Sequence, residues 1–576
     1  MAASTGGEIV ARMLAAEGVE VVFGIIDGTY FGMYSAFDEF GIRLITPRHE
    51  TSALHMAGAY ARMTGKLGVA IASNGPGVAN ALPGIAVENG EGNRVLLITS
   101  SRREGIGYPD RGGTFQYFDQ VGVTRPMTKW AGAVPNRDRV PEFMRRAFRS
   151  AWSGRPGVVH VDIPESVLNG KGKFDPSSIR SSVSYRRTRT IQPDTSQVEA
   201  AARVLLEARA PLIHAGTGVI HSQAHDQLRR VAEALGAPVT TSWGGRGALE
   251  EVHELAISMV HLDLNKKLHN NADAVLVLGS RLGETDWWGK PPYWAAEQKV
   301  IQVDVDDSSI GVNKPIELAV LGDIGAFLGQ LAEILEDAES IQRQPDIWSS
   351  DRRADRAKLD KRLEKTREGV NPGAIPRVAQ EVLPDDTVWV FDGGNTTVWA
   401  HFFHEARTPN AVLTTFKFGM LGAGVAQALG ARVAHPDRVV CCLIGDGAMG
   451  FHPQELETAV RNDLPVVYLV FADLAWGMVK MNQQFSLKPI KTIIRKSLGE
   501  DETINADLLE IKFDDLARSM GAHGERVSTL DELAPALKRC LASGLPSVVH
   551  VDVDPVTHMW APALRSFKEM HQEPSG

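Results

Sequence analysis

Gly445, Asp446 and Gly447 stand where the apolar run VVCCLIG (439–445) gives way to a helical pattern, AMGFHPQELETAV (448–460). In a parallel sheet, ligands bind at that carboxyl end. Glycine lets backbone N–H groups come close to phosphate oxygens, and a helix start adds partial positive charge. A phosphate chain held this way needs a hard cation, and Asp446 is a suitable oxygen ligand for magnesium. A second ligand is expected at Asp473, 27 positions on and just past the next apolar run, PVVYLVF (465–471), with a backbone carbonyl near Ala475. The structural alternative is an aspartate that merely caps a turn. Near the other end of the chain, Glu50 follows a short strand and opens a helix. A carboxylate there is either a first-turn residue favoured by the helix dipole or an acid–base group.

Such residues need parallel strands to bring them together. Short β-branched runs alternate with helical patterns along the chain: VEVVFGII (19–26), GVAIAS (68–73), RVLLITS (94–100), AVLVLGS (274–280) and KVIQVDV (299–305). Apolar strands separated by helices predict an α/β protein whose parallel sheets are covered on both faces. Residues 153–163 (SGRPGVVHVDI) and 543–553 (SGLPSVVHVDV) nearly repeat each other, and each follows an amphipathic helix. The repeat predicts two domains of one design near the two ends, with a third between them. Polar, arginine-rich residues 168–195 and the charged stretch 340–371 read as linkers. The expected division is therefore three doubly wound domains over residues 1–168, 190–345 and 372–555, followed by a tail, 556–576. Gly216 and Gly218 suggest a nucleotide turn in the middle domain only weakly, because the full glycine fingerprint is absent. A structural turn accounts for them equally well.

Bulk composition excludes other classes. A net charge of −9 gives no reason to expect nucleic-acid binding. Three cysteines, two of them adjacent in an apolar run, cannot build a disulfide framework. The chain start, MAASTGGEIVARMLAAEG, looks like an amphipathic helix rather than a signal peptide, and no stretch predicts a membrane span. A cytoplasmic enzyme is the expectation.

The pairing of Gly445-Asp446-Gly447 with a distant oxygen ligand resembles the signature of thiamine-diphosphate-dependent enzymes. Residues 42–85, IRLITPRHETSALHMAGAYARMTGKLGVAIASNGPGVANALPGI, resemble the pyrimidine-binding domain of acetolactate synthase and its relatives. The resemblance implies thiamine diphosphate and magnesium as cofactors. It implies a pyrimidine-binding domain, a central Rossmann-like domain that would take ADP or FAD, and a diphosphate-binding domain. Glu50 would then bond a ring nitrogen of the aminopyrimidine. Asn74 to Gly77 match the family's Gly-Pro-Gly loop, with Asn80 on the next helix. Phe115 and Gln116 would lie near the reacting centre, Asn395 and Thr396 would cradle the diphosphate, and Leu421 would bend the cofactor beside the Gly419 carbonyl. Ala448 and Met478 complete the implied cofactor contacts. The family more often has asparagine where Asp473 stands, so the aspartate keeps the oxygen ligand but adds a charge. The family also builds each site from two subunits, implying a homodimer at minimum and a homotetramer as a frequent form.

Two reactions compete. GDGAMGFHPQELETAVRNDLP resembles the 2-hydroxyacyl-CoA lyase and oxalyl-CoA decarboxylase branch, favouring cleavage of a short 2-hydroxyacyl-CoA to formyl-CoA and a ketone or aldehyde. A basic run (Lys480, Lys488, Lys491, Arg495, Lys496) and a tail with Trp560, Arg565, Phe567 and Lys568 would suit an acyl-CoA. Glu500 and Glu502 are then candidate bases, with His49 and Gln116 close behind, while Gly28, Thr29 and Tyr30 after Asp27 would shape the substrate pocket. The tail would act as a lid. The alternative is an acetolactate-synthase-like 2-keto acid decarboxylase and carboligase. Against it, Asn482 falls where a pocket-shaping tryptophan is expected. A third reading is a nucleotide-binding partner subunit without activity.

Overall fold

The apolar runs become parallel strands because each is flanked by helices that cover both faces of its sheet. The computed structural model describes residues 3–106, 112–336, 348–496, 502–564, 566 and 569. They fall into two compact units, one of Met1–Arg189, Ala423–Asp437 and His452–Leu464, the other of Thr190–Gly422, Arg438–Phe451 and Pro465–Gly576.

The first unit holds a six-stranded parallel sheet in the order Arg43–Ile45, Val21–Gly24, Gly68–Ala72, Val95–Ser101, Val158–Pro164, Trp130–Ala133. Helix Val140–Trp152 shows why the pattern folds this way: Val140, Met144, Ala147, Phe148 and Ala151 recur at helical spacing and are all buried in the core with Leu96, Ile98, Val159 and Val161. Helix Glu50–Thr64 is buried from Glu50 through Met63. Its small residues admit a second helix, Ala423–Ala434, at backbone distance: a Cβ on Gly430 would lie 2.3 Å from the Met56 carbonyl oxygen. The segment 168–195, expected to be a bare linker, contributes a strand. Lys171–Lys173 pairs antiparallel with Ala3–Thr5, and the Arg137 guanidinium donates to the carbonyls of Ser4, Gly172 and Lys173 (2.5, 2.7 and 3.0 Å). Backbone pairing rather than an apolar period makes this ribbon, so hydrophobicity could not reveal it.

The second unit holds two six-stranded parallel sheets. One runs Ala256–Ile257, Val239–Thr241, Pro211–Ala215, Ala274–Leu278, Lys299–Asp304, Leu318–Leu321. The other runs Val412–Thr414, Val388–Asp392, Val440–Gly445, Val467–Ala472, Ser547–Asp552, His523–Val527. This last sheet repeats the winding of the first unit's sheet strand for strand, and the two near-identical segments occupy the same place in it. In the middle sheet, a Cβ on Gly216 would lie 2.3 Å from the Gly279 carbonyl oxygen and one on Gly218 would lie 2.6 Å from the Gly279 Cα. Close packing against Gly279 accounts for these glycines. Helix Ser349–Asp360 buries none of its residues, as its charge pattern predicts. Among the described residues no helix is long and apolar enough to cross a membrane.

Arg246, 1% exposed, ties the middle-sheet segment to the last. Its guanidinium holds Glu251 bidentately (2.8 and 2.7 Å) and donates to the carbonyls of His401 (2.8 Å) and His404 (2.6 Å). Burial would raise the Glu251 carboxyl, but the arginine's charge and hydrogen bonds outweigh it and hold the group below its ordinary value. Removing one partner strands a buried charge, which typically costs about 3–5 kcal/mol. Arg246→Met is therefore expected to lower the melting temperature sharply, and Arg246→Met with Glu251→Leu to recover most of the loss. Equal melting of single and double variants would show that the pair is not what joins these segments.

Candidate active site

In the second unit three neighbouring strands, Val388–Asp392, Val440–Gly445 and Val467–Ala472, end side by side. Gly393 follows the first with φ 101°, a conformation suited to glycine, and a Cβ there would lie 3.2 Å from the Gly445 nitrogen. Asn395 and Thr396 open helix Asn395–Phe403 directly behind this turn. Asp446 accepts hydrogen bonds from the backbone N–H groups of Gly447 (2.7 Å) and Leu474 (2.8 Å). Burial first, and then the Asp473 charge, push the Asp446 carboxyl well above its ordinary value. One Asp473 oxygen, Oδ1, accepts from the Ala475 N–H (3.3 Å), and the other, Oδ2, is 2.6 Å from His558 Nδ1. The second His558 nitrogen reaches Thr396 Oγ1 at 3.1 Å. A cavity of about 290 Å³ adjoins these strand ends, lined by Gly419, Leu421, Phe416, Met478, Met481 and Asn482 among others.

In the first unit Glu50 begins its helix, 7% exposed, with Oε2 accepting from Asn80 Nδ2 at 3.1 Å. A Cβ on Gly77 would lie 3.3 Å from Glu50 Oε1, so this carboxylate lies over the glycine loop. His49 caps the helix by accepting the Thr51 N–H at Nδ1 (3.1 Å). Gln116 is exposed, with φ 55°, and its carbonyl accepts from Asn74 Nδ2 (3.1 Å); beside it Phe115 is 72% exposed. Gln120 fixes the loop from below, accepting the Gly75 N–H (2.8 Å) and donating to Asp162 (2.8 Å). Burial pushes that Asp162 carboxyl up to about 7.

Several expected substrate residues are engaged elsewhere. Tyr30 is buried, 1% exposed, and its hydroxyl donates to the Ile25 carbonyl, so it is a core residue and not a pocket wall. Thr29 bonds Asp27 (2.5 Å) and Ser100 (2.6 Å), while Gly28 is exposed beside them. Lys480 is paired with Asp507. Glu502, a candidate base, is held by Lys488 (3.1 Å) and Lys491. Lys496 sits over the Trp560 ring at 5.1 Å, and Arg495 ends the exposed helix Pro489–Arg495. The basic run thus spends much of its charge on carboxylates of its own chain. Glu500, Arg565, Phe567 and Lys568 lie outside the described residues. A separate cluster of Glu510, His550 and Asp552 is closed by Arg526, which lies 2.7 Å from Glu510 and 2.9 Å from Asp552. His558 and Gln120 were not singled out from sequence. His558 lies 85 positions beyond Asp473 and belongs to no local motif.

Family models place the chain. Residues 4–123 match the N-terminal TPP binding domain of thiamine pyrophosphate enzymes, 198–331 the central domain, and 392–551 the C-terminal TPP binding domain. Over 563 residues, 96% of this chain and 92% of the relative, the sequence is 30% identical to a probable acetolactate synthase large subunit of Methanocaldococcus jannaschii. The chain belongs to the thiamine pyrophosphate enzymes. This enzyme is also 31% identical over 490 residues to the acetolactate synthase isozyme 3 large subunit of Escherichia coli, covering 83% of this chain and 84% of that one. It is 30% identical over 567 residues to the sulfoacetaldehyde acetyltransferase of Castellaniella defragrans, covering 93% and 90%.

The residues present fit the cofactor. Asn395 is 3% exposed, and neither Oδ1 nor Nδ2 of its amide has a partner among the described residues, which suits a group that accepts and coordinates from outside the chain. Two adjoining buried carboxylates, Asp446 and Asp473, are a donor set for a hard divalent cation. Gly477 leaves room beside the unpartnered Asn395 amide: a Cβ there would lie 2.7 Å from Asn395 Nδ2 and 3.0 Å from Asp473 Oδ2. Gly477→Ala in this thiamine pyrophosphate enzyme is expected to weaken binding of thiamine diphosphate with magnesium by about tenfold. Calorimetric titration of the apoenzyme checks this, and unchanged affinity would place the cofactor's phosphate end elsewhere.

Proposed function

We propose that the enzyme decarboxylates a 2-keto acid and joins the retained fragment to a second carbonyl compound, in the manner of acetolactate synthase. The observation that carries this over the acyl-CoA alternative is the pairing of the basic run. With Lys480 on Asp507 and Lys488 and Lys491 on Glu502, those cations offer little to the phosphates of CoA. The cavity beside Leu421, Met478 and Met481 is small and largely apolar, in keeping with a short aliphatic keto acid. The relatives named as acetolactate synthases, matched along nearly the whole chain, support the same choice.

Asp446, Asp473 and the Ala475 carbonyl would hold magnesium, and Asn395 and Thr396 would hold the diphosphate behind the Gly393 turn. Gly445, Gly447 and Ala448 supply backbone around it. When bound, thiamine diphosphate provides an acidic carbon that adds to carbonyls and an electron sink for the bond that breaks. The chain's part is to move a proton and exclude water. Asn80 fixes Oε2 of Glu50, so Oε1 is the atom that takes up and returns the proton. Leu421, Met478 and Phe416, which line the apolar cavity, exclude water from the reacting centre, and Gln116 and Phe115 are the exposed side chains that the Glu50 unit offers to it.

Glu50 and Asp446 act in one site when two copies of the chain combine, so the working unit is a homodimer, which further pairing makes a homotetramer. Large apolar side chains left exposed in both units support this: Ile26, Phe31 and Phe115 are 52%, 58% and 72% exposed in one unit, and Phe418, Phe451 and Val479 are 49%, 48% and 50% exposed in the other.

The holoenzyme supplied with pyruvate is expected to release carbon dioxide and form acetolactate. Formyl-CoA from a 2-hydroxyacyl-CoA, with no product from 2-keto acids, would reverse the assignment. Glu50→Gln is expected to cut kcat by about 10²–10⁴-fold while cofactor affinity changes far less, because the amide keeps the hydrogen bond but cannot carry the proton.

A further inference from the structure

Asp473 adds a negative charge beside Asp446 in a buried place, and a carboxylate there has two equivalent oxygens where a metal needs one. Its surroundings resolve both features. The side chains of Asp473 and His558 are each 4% exposed, and Nδ1 of the histidine lies 2.6 Å from Asp473 Oδ2. The opposite nitrogen lies 3.1 Å from the Thr396 hydroxyl at the start of helix Asn395–Phe403. The ring is held from its own backbone as well. Trp399 Nε1 donates to the His558 carbonyl (2.8 Å), and the Asp554 carboxylate caps helix Pro555–Met559 by accepting from Val556 and Thr557 (3.0 Å each).

We propose that His558 is a positioning residue for the cation: by donating to Oδ2 it masks one oxygen of Asp473 and leaves Oδ1 to face the metal, so that an aspartate–histidine pair does the work of a single carboxamide. An amide combines one acceptor oxygen with one N–H donor; Asp473 with Nδ1–H of His558 against it presents the same two functions on two residues. Because the same ring contacts Thr396, it also links the metal ligand to the loop proposed to hold the diphosphate. Metal and diphosphate affinity are then set together by one side chain 85 positions away from the aspartate it serves. The inference rests on the reading of Asp446 and Asp473 as magnesium ligands.

The two halves of the ring can be separated. Asparagine can reproduce the Nδ1 donor, whereas glutamine reaches the Nε2 position. Thiamine diphosphate is titrated calorimetrically into the apoenzyme over a range of magnesium concentrations, with apoenzyme melting as the control for folding. His558→Gln is expected to raise the magnesium concentration for half-maximal binding by about tenfold or more. His558→Asn is expected to stay near the parent enzyme. Adding Asp473→Asn to the glutamine variant is expected to recover much of the loss, since the new amide carries its own donor. Equal shifts in the asparagine and glutamine variants, no shift in either, or no recovery in the double variant would each overturn the role of His558. If the parent enzyme binds thiamine diphosphate equally well with and without magnesium, the ligand reading itself fails, and the inference with it.

Discussion

Placing Asp446 and Asp473 together at the ends of adjoining buried strands sets the terms for everything around them. Two carboxylates out of water repel each other. Desolvation and, after it, the Asp473 charge push the Asp446 carboxyl above its ordinary value. The surrounding architecture supplies donors to both, the N–H groups of Gly447 and Leu474 for one and the Ala475 N–H for the other, and the His558 ring lies 2.6 Å from the second. Such an arrangement is costly unless a cation completes it. A rigid parallel sheet is the means of holding it, because strand register fixes where each acid stands while loops at the same edge vary.

The Glu50 centre is organised differently. Its carboxylate is placed by a helix N-terminus, by Asn80 and by the nearness of Gly77, while Asn74 holds the Gln116 carbonyl and Gln120 holds the glycine loop at Gly75. Here neutral polar side chains, not opposed charges, provide the order. In the proposed reaction, proton exchange and phosphate binding would fall to two copies of one strand order, each modified at its carboxyl edge.

Much of this was legible in the sequence because it is local. The strand–turn–helix pattern around Gly445 to Gly447 and the start of helix Glu50–Thr64 follow from residue type and spacing over a few positions, while the glycine loop at Asn74 to Gly77 came from the family resemblance. The repeated segment at 153–163 and 543–553 revealed the shared design, and the sheets confirm it in strand order. Contacts between distant segments were not legible. The lysines after Asp473 resemble a phosphate-binding patch, yet Asp507 and Glu502 pair with them. A charge count along a chain cannot tell a free cation from one already matched. His558 was invisible for the same reason, since its meaning depends on what lies across the fold.

The close seating of helix Ala423–Ala434 on helix Glu50–Thr64, with Gly430 against Met56, bears on how this molecule can be divided. The first unit is discontinuous in sequence: residues before 190 form one compact unit with two short stretches that arrive more than 200 positions later. A cut after Arg189 would leave the Glu50 helix without the small-residue surface it packs on. Swapping this lobe between related enzymes would therefore require its three segments to be exchanged as a set.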